Sequence, residues 1–140
     1  MIRFMVGNLF ESNAFALVNT VNCEGYMGKG IAYQFKLHYP RMNADYVREC
    51  KSHRLKTGKL HVFEEDSRLI VNFPTKNKWR EKSKMDYIDD GLDELVKLIQ
   101  ERKNLIHDTI IDDDFLQLHA PAKLHRITNL SICNKVLNLS

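Results

Sequence analysis

The segment from residue 15 to residue 32 constrains the fold of this 140-residue chain more than any other part of it. Residues 15–21 form a largely apolar run that predicts a strand buried on both faces. A polar stretch with glycine at positions 25, 28 and 30 follows, and from Ile31 the apolar spacing is helical until Pro40. A buried strand, a glycine-bearing loop and a helix in this order are typical of a parallel α/β sheet.

The rest of the chain predicts further alternation of strands and helices. Residues 2–6, 60–63 and 69–73 have the composition of strands, with a polar turn at residues 64–67, and residues 41–51 have helical spacing. The strongest helix prediction follows Ser83, which stands at capping-box spacing from Asp86. Its apolar face is predicted to contain Ile88, Leu92, Leu95, Val96 and Ile99. We therefore predict a layered α/β fold, in which ligands bind at loops beyond the carboxyl ends of strands.

Composition limits the classes of function that remain. The length fits one domain, predicted over residues 1–140, and the net charge of +3 tolerates an anionic partner without requiring nucleic acid. Three cysteines without CxxC spacing argue against a disulfide framework or structural zinc, and the six scattered histidines predict no metal site. We expect no cofactor and no membrane partner. Without a signal peptide or membrane-spanning run, we expect a cytoplasmic protein.

Two stretches carry candidate chemistry. In residues 18–32, glycines let a ligand approach backbone amides, and the free N–H groups of a helix N-terminus attract phosphate. The alternative is a plain strand-to-helix turn that needs glycines. In residues 71–80, cations and the only tryptophan follow a buried strand. Neighbouring positive charges lower the pKa of a lysine, and such a lysine can act as nucleophile or base. Taken alone, this second stretch is more typical of a solvated basic loop with a core tryptophan.

Together these stretches resemble a known family. The blocks at residues 7–12, 16–22, 25–35 and 72–80 (GNLFES, ALVNTVN, GYMGKGIAYQF and NFPTKNKWR) are similar to the macrodomains, in the branch of the DarG-type DNA ADP-ribosyl glycohydrolase antitoxins. The match runs in order over residues 1–103. The resemblance implies a three-layer α/β/α sandwich with a mixed central sheet.

The resemblance also implies a ligand, partners and site residues. Members of the branch remove ADP-ribose that a toxin has placed on thymidine in single-stranded DNA, so ADP-ribose, ADP-ribosylated single-stranded DNA and a cognate ADP-ribosyltransferase toxin are the expected partners. Lys76 is the implied catalytic residue, acting at the anomeric carbon of the distal ribose. Asn22 would hold a ribose hydroxyl. The implied ADP-ribose-binding residues are Asn8 and Leu9 at the adenine end, Asn19, Thr20 and Asn22 at the distal ribose, Gly28, Lys29, Gly30, Ile31 and Ala32 around the distal ribose and diphosphate, and Thr75 and Trp79.

The C-terminal segment departs from the family pattern. All six glycines lie at or before Gly91, and residues 104–140 lack the second glycine-rich loop that closes over the ligand in the family. We therefore expect this segment to be divergent, truncated or rearranged, which would weaken affinity and turnover. Three readings of function follow: a glycohydrolase acting on DNA, or on ADP-ribosylated protein; a reader module that binds ADP-ribose without cleaving it; and a fold relic that binds nothing.

Overall fold

The computed structural model describes residues 2–102, 109–111 and 130–135. Within these residues the chain forms six strands, three α-helices and one short 3₁₀ turn at Leu9–Glu11. The strands are β1 (Ile2–Val6), β2 (Ala16–Val21), β3 (His61–Glu65), β4 (Arg68–Pro74), β5 (Thr109–Ile111) and β6 (Leu130–Lys135), and the helices are α1 (Gly30–His38), α2 (Pro40–Lys51) and α3 (Met85–Glu101).

The six strands form one sheet in the order β1-β6-β5-β2-β4-β3. All neighbouring pairs are parallel except β3 and β4, which form an antiparallel hairpin. Asp66 and Ser67 make the turn of this hairpin, with φ of 51° and 62°. Two consecutive residues with positive φ match the right-handed twist of the strands that they join. The turn is therefore shorter than the predicted 64–67, since Glu64 and Glu65 belong to β3.

Helices cover both faces of the sheet. Because side chains on successive strand residues point to opposite sides, each inner strand contributes to two cores. On β2, Ala16 and Val18 belong to the core under α3, whereas Leu17 and Val21 belong to the core under α1 and α2. On β4, residues 69, 71 and 73 face α3, and Ile70 faces the other pair of helices. The predicted three-layer sandwich with a mixed sheet is confirmed.

The C-terminal segment contributes two inner strands to this sheet. β5 pairs with β2 and with β6, and β6 also pairs with β1. The described residues leave out 103–108, 112–129 and 136–140. These ranges make up most of the segment that lacks a second glycine-rich loop. The predicted boundary between residues 103 and 104 stays a prediction.

Helix α3 packs as predicted but begins differently. Ile88, Leu92, Leu95 and Ile99 are buried against the sheet. The capping-box prediction was wrong: the helix begins after Lys84, and no side chain caps it.

Helix α2 takes its cap from another element. The carboxylate of Glu65, at the end of β3, accepts hydrogen bonds from the backbone N–H groups of Met42 at 2.7 Å and Arg41 at 3.3 Å. A negative charge at a helix N-terminus satisfies free N–H groups and complements the helix dipole.

No helix in the described part of the chain is both long enough and apolar enough to cross a membrane.

Candidate functional site

A cavity of about 910 Å³ opens where β2 and β4 end. This is the edge of an α/β sheet at which ligands bind. Its described lining consists of Thr20, Val21, Asn22, Tyr26, Gly28, Lys29, Gly30, Ile31, Ala32, Thr75, Lys76, Trp79 and Ser83. These residues include two lysines and no carboxylate, so the local charge favours an anionic ligand.

Asn22 shapes the glycine-bearing segment of residues 22–30. Its side-chain oxygen accepts from the backbone N–H of Glu24 at 2.9 Å, and its amide donates to the carbonyl of Tyr26 at 2.9 Å. The hydroxyl of Tyr46 donates to the backbone carbonyl of Asn22 at 2.7 Å from below. Burial raises the pKa of this tyrosine, so the hydroxyl stays a donor. The side chain of Asn22 is therefore committed to the turn and also lines the cavity.

The glycine-bearing segment ends in the N-terminus of α1. Gly30 has φ of 64°, a backbone conformation that side chains with a Cβ adopt at a cost. Lys29 precedes the helix, and no side chain caps it. The first-turn residues Gly30, Ile31 and Ala32 line the cavity instead. Uncapped N–H groups at a helix N-terminus form a binding site for phosphate groups.

The second wall of the cavity is the loop that carries Lys76, here called the lysine loop (residues 75–84). Three hydrogen bonds tie it to β2 and to the glycine-bearing segment. The backbone N–H of Thr75 donates to the carbonyl of Val21 at 3.0 Å, and that of Cys23 donates to the carbonyl of Asn77 at 2.9 Å. The backbone N–H of Trp79 donates to the carboxylate of Glu24 at 2.9 Å. Lys76 is thus presented on a loop whose position is fixed against the other wall.

Ten of the thirteen predicted site residues line this cavity. They are Thr20, Asn22, Gly28, Lys29, Gly30, Ile31, Ala32, Thr75, Lys76 and Trp79. Lys76 is half-buried, and Trp79 is 46% exposed rather than a core residue. Their individual roles toward a ligand stay predictions.

The other three predicted residues lie outside the cavity lining. The side chain of Asn8 accepts from the backbone N–H of Phe10 at 3.0 Å and so begins the 3₁₀ turn. Leu9 is 1% exposed in the core under α1 and α2. Asn19 is equally buried, on the face of β2 opposite to that of Thr20. The structure brings none of the three to the cavity, and their roles toward a ligand also stay predictions.

Sequence reasoning missed Val21, Tyr26 and Ser83. Tyr26 stands inside the glycine-bearing segment, so its position alone was a signal. Ser83 was assigned to the capping of α3, and that assignment hid its place on the cavity wall.

A chain of polar side chains, buried except for the half-buried Asp45, lies behind the glycine-bearing segment. The amide of Asn19 donates to the side-chain oxygen of Asn72 at 2.9 Å, and the amide of Asn72 reaches Nδ1 of His61 at 2.9 Å. Because Nδ1 accepts this bond, the ring proton lies on Nε2, which donates to Asp45 at 2.8 Å. At the other end, the Asn19 amide contacts the sulfur of Met27 at 3.7 Å. We call Asp45, His61, Asn72 and Asn19 the polar chain.

Cys23 and Cys50 are free thiols. Burial raises the pKa of Cys23 and that of Cys50, each to about 11. Both thiols are therefore neutral at pH 7 and poor nucleophiles. Among the residues that the structure describes, no three His, Cys, Asp or Glu side chains gather as a metal site would require.

Comparison with known proteins relates this geometry to a family. The family model described as "Macro domain" matches residues 18–107. Proteins named "DNA ADP-ribosyl glycohydrolase" from Mycobacterium tuberculosis and Thermus aquaticus are 47% and 46% identical over 105 residues. That match covers 72% of this chain in both cases, but only 30% and 29% of those longer relatives.

A solved structure extends the similarity to the whole fold. The macrodomain of Mycobacterium tuberculosis DarG is 34% identical and superimposes with a TM-score of 0.85. The superposition covers 97% of each chain. With the cavity at the ends of β2 and β4 and the family match over residues 18–107, this chain belongs to the Macro domain family.

Proposed function

We propose that this chain binds ADP-ribose and removes it from modified DNA as a glycohydrolase. The observation that carries the proposal is the placement of Lys76 in one cavity with the uncapped N-terminus of α1. The similarity to two proteins named DNA ADP-ribosyl glycohydrolase supports the choice of reaction and of substrate.

The two walls of the cavity have different roles: one binds the diphosphate, and the other carries Lys76. The N–H groups of Gly30, Ile31 and Ala32, together with Lys29, suit the two negative charges of a diphosphate. Binding the diphosphate there holds the distal ribose toward the lysine loop, and this positioning lowers the entropic part of the barrier.

Lys76 then acts at C1″ of the distal ribose by one of two routes. As a nucleophile, its neutral amine forms a bond to C1″ while the C1″–base bond breaks and the base takes the electron pair and a proton; water afterwards releases the sugar and restores the amine. As a general base, it takes a proton from the water that adds to C1″ while the C1″–base bond breaks and the base takes the electron pair and a proton. In both routes the products are ADP-ribose and the unmodified base.

Release of ADP-ribose from ADP-ribosylated single-stranded DNA tests the proposal. We expect Lys76→Ala to lower the rate by about 10²–10⁴-fold, the range for loss of a proton-transfer group. Calorimetric titration should show that this variant still binds ADP-ribose. Lys97→Ala, on the exposed side of α3, is the matched control and should keep the parent rate. Cleavage at the parent rate by Lys76→Ala would rule out the lysine.

The same assay decides between the alternatives. Release from ADP-ribosylated protein but not from DNA would indicate a protein hydrolase, and binding of ADP-ribose without release from either would indicate a reader module. The proposed substrate can arise only through an enzyme that transfers ADP-ribose to DNA. We therefore also propose an ADP-ribosyltransferase partner and a place in the cytoplasm with the DNA.

A further inference from the structure

Two exposed aromatic side chains line the cavity. Tyr26 is 59% exposed and Trp79 is 46% exposed, and both belong to its lining. The guanidinium of Arg80 lies over the Trp79 ring, 4.5 Å from its centre. Large aromatic side chains at a ligand site that keep this much of their surface in water are available to a second group outside the cavity.

The lysine loop adds a concentration of positive charge beside these rings. Lys78, Arg80, Lys82 and Lys84 are all exposed, and none forms an ion pair within the described part of the chain. Two carboxylates lie on or against the same loop, so the four exposed cations outnumber them there. Glu24 accepts from the backbone of Trp79, and Glu81 accepts from the backbone of Asn77.

We infer that Tyr26, Lys78, Trp79, Arg80 and Lys82 form a strand-binding rim that holds single-stranded DNA on either side of the modified nucleotide. The inference rests on the proposed function and adds to it the surface that recognises the strand. Cations beside exposed aromatic rings match the two features of a single strand, a phosphate backbone and unpaired bases that can stack. An acidic peptide would use the cations but not the rings, and duplex DNA keeps its bases stacked inside the helix.

Binding of an unmodified strand tests the rim without any catalysis. The probe is a fluorescently labelled single-stranded thymidine 12-mer, followed by anisotropy at several salt concentrations. We expect binding by the parent protein that weakens as salt rises. Lys78→Gln/Lys82→Gln should reduce the slope of log affinity against log salt by about 1.4, since each single-strand phosphate contact contributes roughly 0.7.

A second double variant controls for net charge. Lys59 and Lys97 line a separate groove between β3 and the later turns of α3. Lys59→Gln/Lys97→Gln removes the same charge and should leave the slope unchanged. No binding by the parent protein, or equal loss of slope in both double variants, would overturn the rim.

Cleavage assays separate failure of the rim from failure of the proposed function. For Lys78→Gln/Lys82→Gln we expect kcat/KM to fall at least about fivefold on an ADP-ribosylated oligonucleotide and to stay at the parent value on ADP-ribosylated thymidine, which has no flanking phosphates. Unchanged kcat/KM on both substrates would overturn the rim and leave the proposed function standing. A parent protein that binds the 12-mer with the expected salt slopes but releases no ADP-ribose from either substrate would support the strand-binding rim and contradict the proposed glycohydrolase function.

Discussion

The two faces of the sheet differ in the chemistry of their buried side chains. Under α3 the described core is apolar, with Val18, Val71 and Phe73 of the sheet packed against Ile88 and Leu92 of the helix. Under α1 and α2 the corresponding strand positions carry His61, Asn72 and Asn19 of the polar chain, which begins at Asp45 of α2. Asn19, His61 and Asn72 are buried, as are the apolar side chains under α3, so the difference at these strand positions lies in chemistry rather than in exposure to water.

This difference separates stability from site geometry. Burying apolar side chains stabilises the fold in proportion to the area removed from water and without fixed directions. Hydrogen bonds between buried polar side chains add little net stability but fix orientation. The polar chain ends at Asn19 beside Met27, which directly precedes Gly28 of the cavity wall. We therefore assign stability mainly to the α3 face and the shape of the glycine-bearing segment to the other.

The largest expected effect is on the apolar face. Leu92 is completely buried between α3 and the sheet. We expect Leu92→Ala to lower the free energy of unfolding by about 2–5 kcal/mol, through lost burial and the cavity left behind. Urea denaturation measures this loss. The remaining folded protein should bind ADP-ribose with the parent affinity, and weaker binding would contradict the separation of the two faces.

A smaller effect is expected on the polar face. His61→Phe removes the acceptor of the Asn72 amide and the partner of Asp45, which should cost about 1–3 kcal/mol of unfolding free energy for the unsatisfied groups. Unlike Leu92→Ala, it should also weaken ADP-ribose binding measured on folded protein by calorimetry. His61→Gln, which can keep one of the two hydrogen bonds, serves as the conservative comparison. Parent affinity in His61→Phe would show that the polar chain does not shape the site.

The smallest effect is a pH dependence that should arise on the same side of the sheet. Burial raises the pKa of Cys23 and Cys50 from 9.0 to about 11, and it also raises the pKa of Tyr46. The unfolded chain therefore loses these protons first as pH rises, so their contribution to stability is complete below pH 9 and is lost above it.

The melting temperature measures this contribution. We expect it to decrease between pH 8.5 and about pH 10.5 in the parent protein. The decrease should be smaller in Cys23→Ala/Cys50→Ala, in which two of the three groups are absent. An equal decrease in both proteins would assign the pH dependence to other groups.

Local signals predicted much of the fold and of the site. The strand, loop and helix of residues 15–38 were predictable because apolar periodicity, glycine positions and Pro40 act over a few residues each. Partners distant in the chain were not predictable. Asn19 and Asn72 are 53 positions apart, and only strand pairing brings them together on the face away from α3.

One unpredicted placement and one error follow from the same limit. One position along β2 decides whether a side chain faces α3 or the polar chain, and the sequence of this strand does not mark which. Asn19 therefore lies outside the cavity lining although its neighbour Thr20 belongs to it, and the role of Asn19 toward a ligand stays a prediction. For Ser83, capping-box spacing is a local pattern that a helix start one residue later removes.

The structure of this chain with ADP-ribose bound tests the central claim most directly. We expect the diphosphate against the backbone N–H groups of Gly30, Ile31 and Ala32, with Nζ of Lys76 within hydrogen-bond distance of the distal ribose. A ligand seated outside this cavity, or a Lys76 amine turned into bulk water while the ligand is bound, would contradict the proposed site and its chemistry.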